Sequence, residues 1–211
     1  MKKEFAEMVL KAVKTGMLES NCYILGDSGE AAVIDPGADL EEIMQALDEH
    51  SLTLKYIIYT HAHFDHVAEG DKLRKETGAK VVIHEDEAPI LEDPILNGSA
   101  IFWSGKSAGS ADMLVRDADV LKLGNADLEI IHTPGHTPGG MCILIRTDSC
   151  IFTGDTLFRL SVGRTDLGAG NTSQLMVSLQ RLMELGDEVK VYPGHGPSTQ
   201  IGYERKNNPW L

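Results

Sequence analysis

Short apolar runs separated by turn residues set the pattern of the chain. Met8–Val13, Asn21–Leu25 and Ala31–Ile34 predict three strands, the last two divided by a turn at Asp27-Ser28-Gly29. Asp35-Pro36-Gly37 ends the third strand sharply. Leu40, Ile43, Met44 and Leu47 then recur at helical spacing to about His50, with Asp39 as predicted N-cap and Glu42 placed to close a capping box. Leu54–Tyr59 predicts a buried strand and Ala68–Thr77 a helix stopped by Gly78. Lys80–Ile83 predicts a further strand and Glu85–Leu91 a short helix.

The pattern fades from Glu92 to Asp119, where Pro94, Asn97, Gly98, Gly105 and Gly109 interrupt it and Phe102 and Trp103 are the aromatic residues. A connection that long inside a compact fold is either functional or conceals elements not read correctly. Strand signals resume at Val120–Leu123, Leu128–Ile131, Met141–Ile145 and Cys150–Thr153, followed by a loop to about Gly170. Asn171 or Thr172 caps a predicted helix through Leu175, Leu179, Leu182 and Leu185, with Gly186 as its stop. Val189–Tyr192 is the last predicted strand, and a polar tail runs to Leu211. So many strands interleaved with helices predict a layered α/β protein, two sheets packed face to face with helices outside. No repeat, linker or low-complexity segment divides the 211 residues, so one domain over 1–211 is expected.

Composition narrows the classes. Hydrophobic residues make up 42% and charged residues 24%, a soluble globular balance. The charge, 19 minus 32 or −13, argues against nucleic acid as the partner, because phosphate backbones need an electropositive footprint. It leaves room for a small anionic substrate held by a local cation. Cys22, Cys142 and Cys150 form no framework spacing, which predicts reduced, buried thiols. Neither an apolar signal region nor a membrane-length apolar run is present, so a soluble cytoplasmic protein with no membrane partner is expected.

The chemistry concentrates at Tyr59-Thr60-His61-Ala62-His63-Phe64-Asp65-His66, directly after an apolar run. Alternation along an extended chain would point His61, His63 and Asp65 to one side, with His66 at the following turn. Imidazole and carboxylate at this density suit a divalent cation. Three strand-end loops add one donor each: His136 in Thr133-Pro134-Gly135-His136, Asp155 after Thr153-Gly154, and His195 after Pro193-Gly194.

The spacing His61-x-His63-x-Asp65-His66, followed by His136, Asp155 and His195, resembles the metallo-β-lactamase superfamily over essentially the whole chain. That resemblance implies an αββα sandwich of two mixed sheets flanked by helices, with the site along one edge. It implies two divalent metal ions, zinc foremost, with iron and manganese compatible with the same donors. His61, His63 and His136 would hold one ion, and Asp65, His66 and His195 the other, with Asp155 shared. Gly154-Asp155-Thr156-Leu157-Phe158 and Ser161-Val162-Gly163-Arg164-Thr165-Asp166 are similar to the short bacterial form of glyoxalase II-like hydrolases. The implied reaction is hydrolysis of a small-molecule thioester, such as S-lactoylglutathione, by a metal-activated hydroxide. Asp65 would orient the nucleophile, and Arg164 and Phe158 would contact substrate. No separate C-terminal glutathione-binding helical domain is expected, since 16 residues follow His195 (211 minus 195).

Three alternatives stay open: a mono-iron persulfide dioxygenase using His61, His136 and Asp155, a phosphodiesterase or nuclease, and a non-catalytic metal-binding protein. Elsewhere, His84 and His132 read as structural histidines, and His50 as a helix-terminal cation. Phe102 and Trp103 could wall the pocket but read as core, while Arg205 and Lys206 read as surface charges. Asp35 is either a support for the ligand loop or a turn former.

Overall fold

In the computed structural model, residues 8–16, 18–37, 39–102, 109–167 and 169–211 are described. In chain order the elements are β1 (Val9–Thr15), β2 (Ser20–Asp27), β3 (Glu30–Ile34), α1 (Leu40–Glu49), β4 (Thr53–Ile58), α2 (Phe64–Val67), α3 (Gly70–Thr77) and β5 (Lys80–His84). They continue with α4 (Ala88–Glu92), α5 (Ser99–Phe102), β6 (Met113–Val115), β7 (Val120–Leu123), β8 (Ala126–His132), β9 (Met141–Ile145) and β10 (Cys150–Gly154). The last are β11 (Leu157–Phe158), β12 (Ser161–Val162), α6 (Thr172–Leu182), β13 (Lys190–Pro193), β14 (Thr199–Gln200) and α7 (Ile201–Asn207).

Two six-stranded mixed sheets result. The first runs β1-β2-β3-β4-β5-β6, the second β14-β13-β10-β9-β8-β7, and β11-β12 form a small hairpin. The first is antiparallel through β3 and parallel from β3 to β6. The second is antiparallel except where β10 and β13 run parallel.

Period-2 alternation builds the layers. In β2, Tyr23 and Leu25 face the second sheet, packing in a cluster with Ile58, Ile130, Ile143 and Phe152. Cys22 and Ile24 point the other way, into a cluster with Ile43 and Leu47 of α1 and Leu73 of α3. On the far side of the second sheet, Cys142, Leu144, Ile151 and Val191 pack against Leu175, Leu179 and Leu182 of α6 and Ile201 of α7. This is the αββα sandwich the resemblance implied. With strands covered on both faces, their near-continuous apolar runs follow. Cys22, Cys142 and Cys150 are free, buried and assigned to three different clusters, so no two of them can bridge. Among the described residues no helix is long and apolar enough to cross a membrane.

Several expectations change. Asp39 sits in the left-handed region (φ 58°) and its side chain makes no cap, so the expected capping box does not form. The predicted Ala68–Thr77 helix is α3, which starts at Gly70 and ends at Gly78 as expected; the turn α2 precedes it. The Glu92–Asp119 stretch holds α5 and β6, each too short for a periodic signal, and the 154–170 loop holds the β11–β12 hairpin. The polar tail folds as β14 and α7. The Phe102 side chain and Trp103 lie outside the described residues. Arg205 is a surface charge, as expected, and it also donates to the carbonyls of Met183 and Leu185 and pairs with Asp187, just beyond the end of α6. That helix ends at Leu182, before Gly186.

Asn171 does cap α6, its side-chain oxygen accepting from the Gln174 amide at 3.1 Å. Its own amide donates to the Gly135 carbonyl (2.7 Å), tying the helix to the loop that carries His136. Asn171→Ala should lower stability by about 1 kcal/mol and Asn171→Ser should restore most of it. Equilibrium urea unfolding reads both.

Candidate metal centre

The first sheet delivers four of the expected donors just past β4. That strand ends at Ile58, so His61 and His63 leave an irregular loop while Asp65 and His66 lie on the first turn of α2. The expected extended-strand alternation is therefore wrong for Asp65, although the side chains still converge. The second sheet delivers His136 from the β8–β9 loop, Asp155 just beyond β10 and His195 just beyond β13.

Two groups of donors form, His61/His63/His136 and Asp65/His66/His195, with the donor atoms in each within 4.8 Å of one another. Nε2 of His136 stands 2.9 Å from Nδ1 of His63. Nε2 of His195 stands 3.3 Å from Nε2 of His66 and 3.3 Å from Asp65 Oδ2. Asp155 reaches both groups. Its Oδ2 is 3.6 Å from His136 Nε2 and 3.6 Å from His195 Nε2, and its Oδ1 is 3.5 Å from His66 Nε2. A tetrahedral ion with bonds of ~2.0–2.1 Å spaces its donors about 3.3 Å apart, so these separations suit cations held between them. Two atoms make the case independently: His61 Nε2 and Asp155 Oδ1 are buried with no hydrogen-bond partner. A buried polar atom left unpaired is costly unless an ion takes it.

The imidazoles are held from behind. His136 Nδ1 donates to the Arg164 carbonyl at 2.7 Å and His195 Nδ1 to the Leu18 carbonyl at 3.1 Å. Carbonyls only accept, so both rings carry the proton on Nδ1 and turn the Nε2 lone pair inward. His66 Nδ1 donates to Asp35 Oδ2 at 3.0 Å. The Thr60 hydroxyl donates to that same oxygen at 2.6 Å and accepts from His61 Nδ1 at 3.1 Å. Asp35 Oδ1 accepts from the Thr60 amide at 2.7 Å. Of its two readings, Asp35 is thus a support for the ligands, buried at the end of β3.

Electrostatics divide the centre. Burial, reinforced by neighbouring imidazoles, holds His61 well below the ordinary histidine value and brings His63 down to about 4. Both are neutral at pH 7, the form that donates a lone pair. Around His66 burial opposes a positive charge, yet the carboxylates of Asp65, Asp155 and Asp35 outweigh it and raise the ring to about 10. Asp65 is shifted down despite burial, chiefly by His66 and His195. This half of the centre calls for positive charge. The backbone also leaves room for it: a Cβ at Gly194 would lie 2.2 Å from Asp155 Oδ1 and 2.8 Å from His66 Cε1.

His61, His66 and His136 are buried, whereas His63, Asp65, Asp155 and His195 are partly open. The Phe158 ring lies edge-on to His195, centroids 6.1 Å apart. The Arg164 guanidinium is exposed and forms a two-pronged pair with Asp166 (2.7 and 2.8 Å), so the main chain of Arg164, not its side chain, meets the centre. His84 and His132 stack face to face, centroids 3.9 Å apart and planes 14° apart. With Asp86 they form a further group of donors within 4.8 Å of one another, but His84 Nδ1 accepts from the Asp86 amide at 3.2 Å and His132 Nε2 donates to the Pro138 carbonyl at 2.9 Å. Sequence reasoning missed Glu87, wholly buried between two ligand loops; an acid in Glu85-Asp86-Glu87 carries no signal of burial.

An αββα sandwich with seven histidine and aspartate donors at the strand ends of one rim is the architecture of a metal-dependent enzyme. The chain belongs to the metallo-β-lactamase superfamily, whose family model matches residues 15–195. It is 34% identical over 206 residues to the Bacillus subtilis probable metallo-hydrolase YqgX, covering 97% of this chain and 98% of that one. It is 31% identical to the Haemophilus influenzae hydroxyacylglutathione hydrolase GloC, again over 97% and 98%. Among solved structures, the B3 metallo-β-lactamase BLEG-1 superposes with a TM-score of 0.90 at 37% identity (96% of this chain, 99% of that one). TTHA1623 in a di-iron-bound form gives 0.83 at 32% (95% and 100%), and Myxococcus xanthus ETHE1 gives 0.82 at 32% (96% and 84%).

Asp35→Ala would leave the Thr60 amide, the Thr60 hydroxyl and His66 Nδ1 without their buried acceptor. Loss of roughly 3–5 kcal/mol in urea unfolding of the chelator-treated protein is expected, as for a broken buried pair. Metal affinity by chelator competition should fall about 10–100-fold. Wild-type values in both would remove Asp35 from the support of the centre.

Proposed function

We propose that the protein is a glyoxalase II-type thioester hydrolase, acting on an S-acylglutathione such as S-lactoylglutathione or on a related small thioester. The observation that carries this reading is the complete double donor set joined through Asp155, in a chain similar over nearly its whole length to GloC. The seven donors would hold two divalent ions, zinc foremost, with iron supported by the di-iron form of TTHA1623. When bound, such a pair supplies Lewis acidity and brings the pKa of a water towards ~7.

The chain's own residues do the positioning. Asp65, held ionised, offers a carboxylate to accept a hydrogen bond from the attacking water and aim it at the thioester carbonyl. The histidines, fixed by carbonyl and carboxylate partners, keep the electrostatics preorganised for the developing oxyanion. Phe158 beside His195 walls the open side for the substrate. Arg164 can serve an anionic end of the substrate by exchanging Asp166 for it, since exposed ion pairs are weak. The leaving thiol, with a pKa of about 8.5, departs without a dedicated general acid. A small-molecule substrate, rather than nucleic acid, also accords with the −13 charge.

One observation favours a second reading, a mono-iron persulfide dioxygenase using His61, His136 and Asp155: the likeness to ETHE1 at 32% identity. Elemental analysis of protein purified without added metal, paired with two assays, separates them. Two metal equivalents and thiol release from S-lactoylglutathione support hydrolysis. One iron with oxygen consumption on glutathione persulfide would replace it. Asp155→Ala should abolish thiol release and lower metal content below the wild-type stoichiometry; a metal-loaded, active variant would sink the shared-ligand role.

A further inference from the structure

We propose that Glu87 is the positioning residue of the three-histidine half of the centre, a buried carboxylate that sets the distance between the loop carrying His61 and His63 and the loop carrying His136. The inference rests on the metal reading above and adds to it a determinant for one half only.

Glu87 lies between β5 and α4 in the first sheet's layer, with no exposed surface. Its two oxygens go to different loops. Oε1 accepts from the Ala62 amide at 2.9 Å, and Ala62 is the residue between His61 and His63. Oε2 accepts from the Gly139 amide at 2.8 Å, in the 133–140 connection that presents His136. One planar group therefore fixes both loops at once, and those loops come from opposite sheets. A neutral amide at this position would set its NH₂, a donor, against one of the two N–H groups, since each of those groups meets a different oxygen.

Gly139 supplies a second, independent sign of a built contact. A Cβ there would lie 2.3 Å from the Glu87 amide nitrogen and 2.6 Å from its Cβ, so the second-sheet loop is pressed against this residue as closely as backbone permits. Burial pushes its carboxyl up to about 7, against the Ala62 amide, the Thr137 side chain and the Gly139 amide, which favour the charged form. The other half of the centre makes no such use of it: His66 leans on Asp35 and His195 on Leu18.

The test titrates metal-free wild type, Glu87→Gln and Glu87→Asp with Zn²⁺, while long-range ¹H–¹⁵N spectra follow the imidazole nitrogens of His63 and His136 separately from those of His66 and His195. Thermal unfolding of each metal-free protein runs alongside. Glu87→Gln should weaken Zn²⁺ at His63/His136 by about 10–100-fold, as loss of a supporting hydrogen bond does, and leave His66/His195 within about 3-fold. Glu87→Asp, which keeps the charge but reaches only one loop, should fall between, and it carries the test if Glu87→Gln does not fold. Equal weakening of both halves, tracking a lower melting temperature, would mean a general structural role and overturn the proposal. Wild-type affinity at His63/His136 in a folded variant would overturn it too. If wild-type protein itself takes no Zn²⁺ at these rings, the metal reading fails and the proposal fails with it.

Discussion

Asp35 stands where a sheet stops and a metal centre begins, and its hydrogen bonds are the condition for the rest of the rim. β3 and β4 pair in parallel up to Ile34 and Ile58, and the Asp35 amide still donates to the Ile58 carbonyl. One residue further on, the strands part, and the next amide, Thr60, has no strand to meet. The Asp35 side chain takes over, accepting that amide, the Thr60 hydroxyl and His66 Nδ1. Backbone groups leaving a buried sheet edge must find partners or lose roughly 1–3 kcal/mol each. Here the partner that satisfies them also orients two imidazoles, His66 directly and His61 through Thr60. The residue adopts φ 53°, a conformation non-glycine residues rarely take, and the three bonds to its side chain offset that strain.

The same need joins the two sheets. The Met141 amide at the start of β9 donates to the Thr60 carbonyl, and the Asn21 amide at the start of β2 donates to the Gly194 carbonyl beyond β13. Asn21 Nδ2 and the Tyr23 hydroxyl both reach the Pro193 carbonyl. Each of these bonds crosses from one sheet to the other within a few residues of a donor to the centre. The donors leave loops and the first turn of α2, and these segments are tied to two covered sheets by buried bonds. A site assembled this way gains precision from the sandwich itself.

How much of this could be read in the residues follows from range. The apolar runs give the strands because burial on both faces leaves continuous hydrophobic stretches, and the seven donors stand out because histidine and aspartate follow those runs directly. The alternation argument for His61, His63 and Asp65 named side chains that do converge, but for the wrong reason: the chain turns into α2 before Asp65, and spacing alone cannot tell a strand from a loop entering a helix. β6, β11, β12 and β14, of two or three residues each, fall below any periodic signal. Glu87 was illegible for another reason. Its partners lie 25 and 52 residues away, and an acid in an acidic run reads as solvated until the fold buries it. Asp35, beside Pro36 and Gly37, carried a turn signal strong enough to mask its support of the ligands.

The two halves of the centre differ in what they ask of a cation. His61 and His63, both held neutral, stand with His136 in a set of imidazole donors that suits a borderline ion through ligand type more than through charge. Around His66 and His195, by contrast, Asp65, Asp155 and Asp35 gather three carboxylates that favour positive charge on His66 despite its burial, so this half suits a cation through charge as well as ligand type. Asp155, shared between them, makes each half part of the other's electrostatics. Ions held in the two halves would both face that one carboxylate, which stands within 3.6 Å of His136 and of His195, so the two electrostatic settings meet at a single side chain.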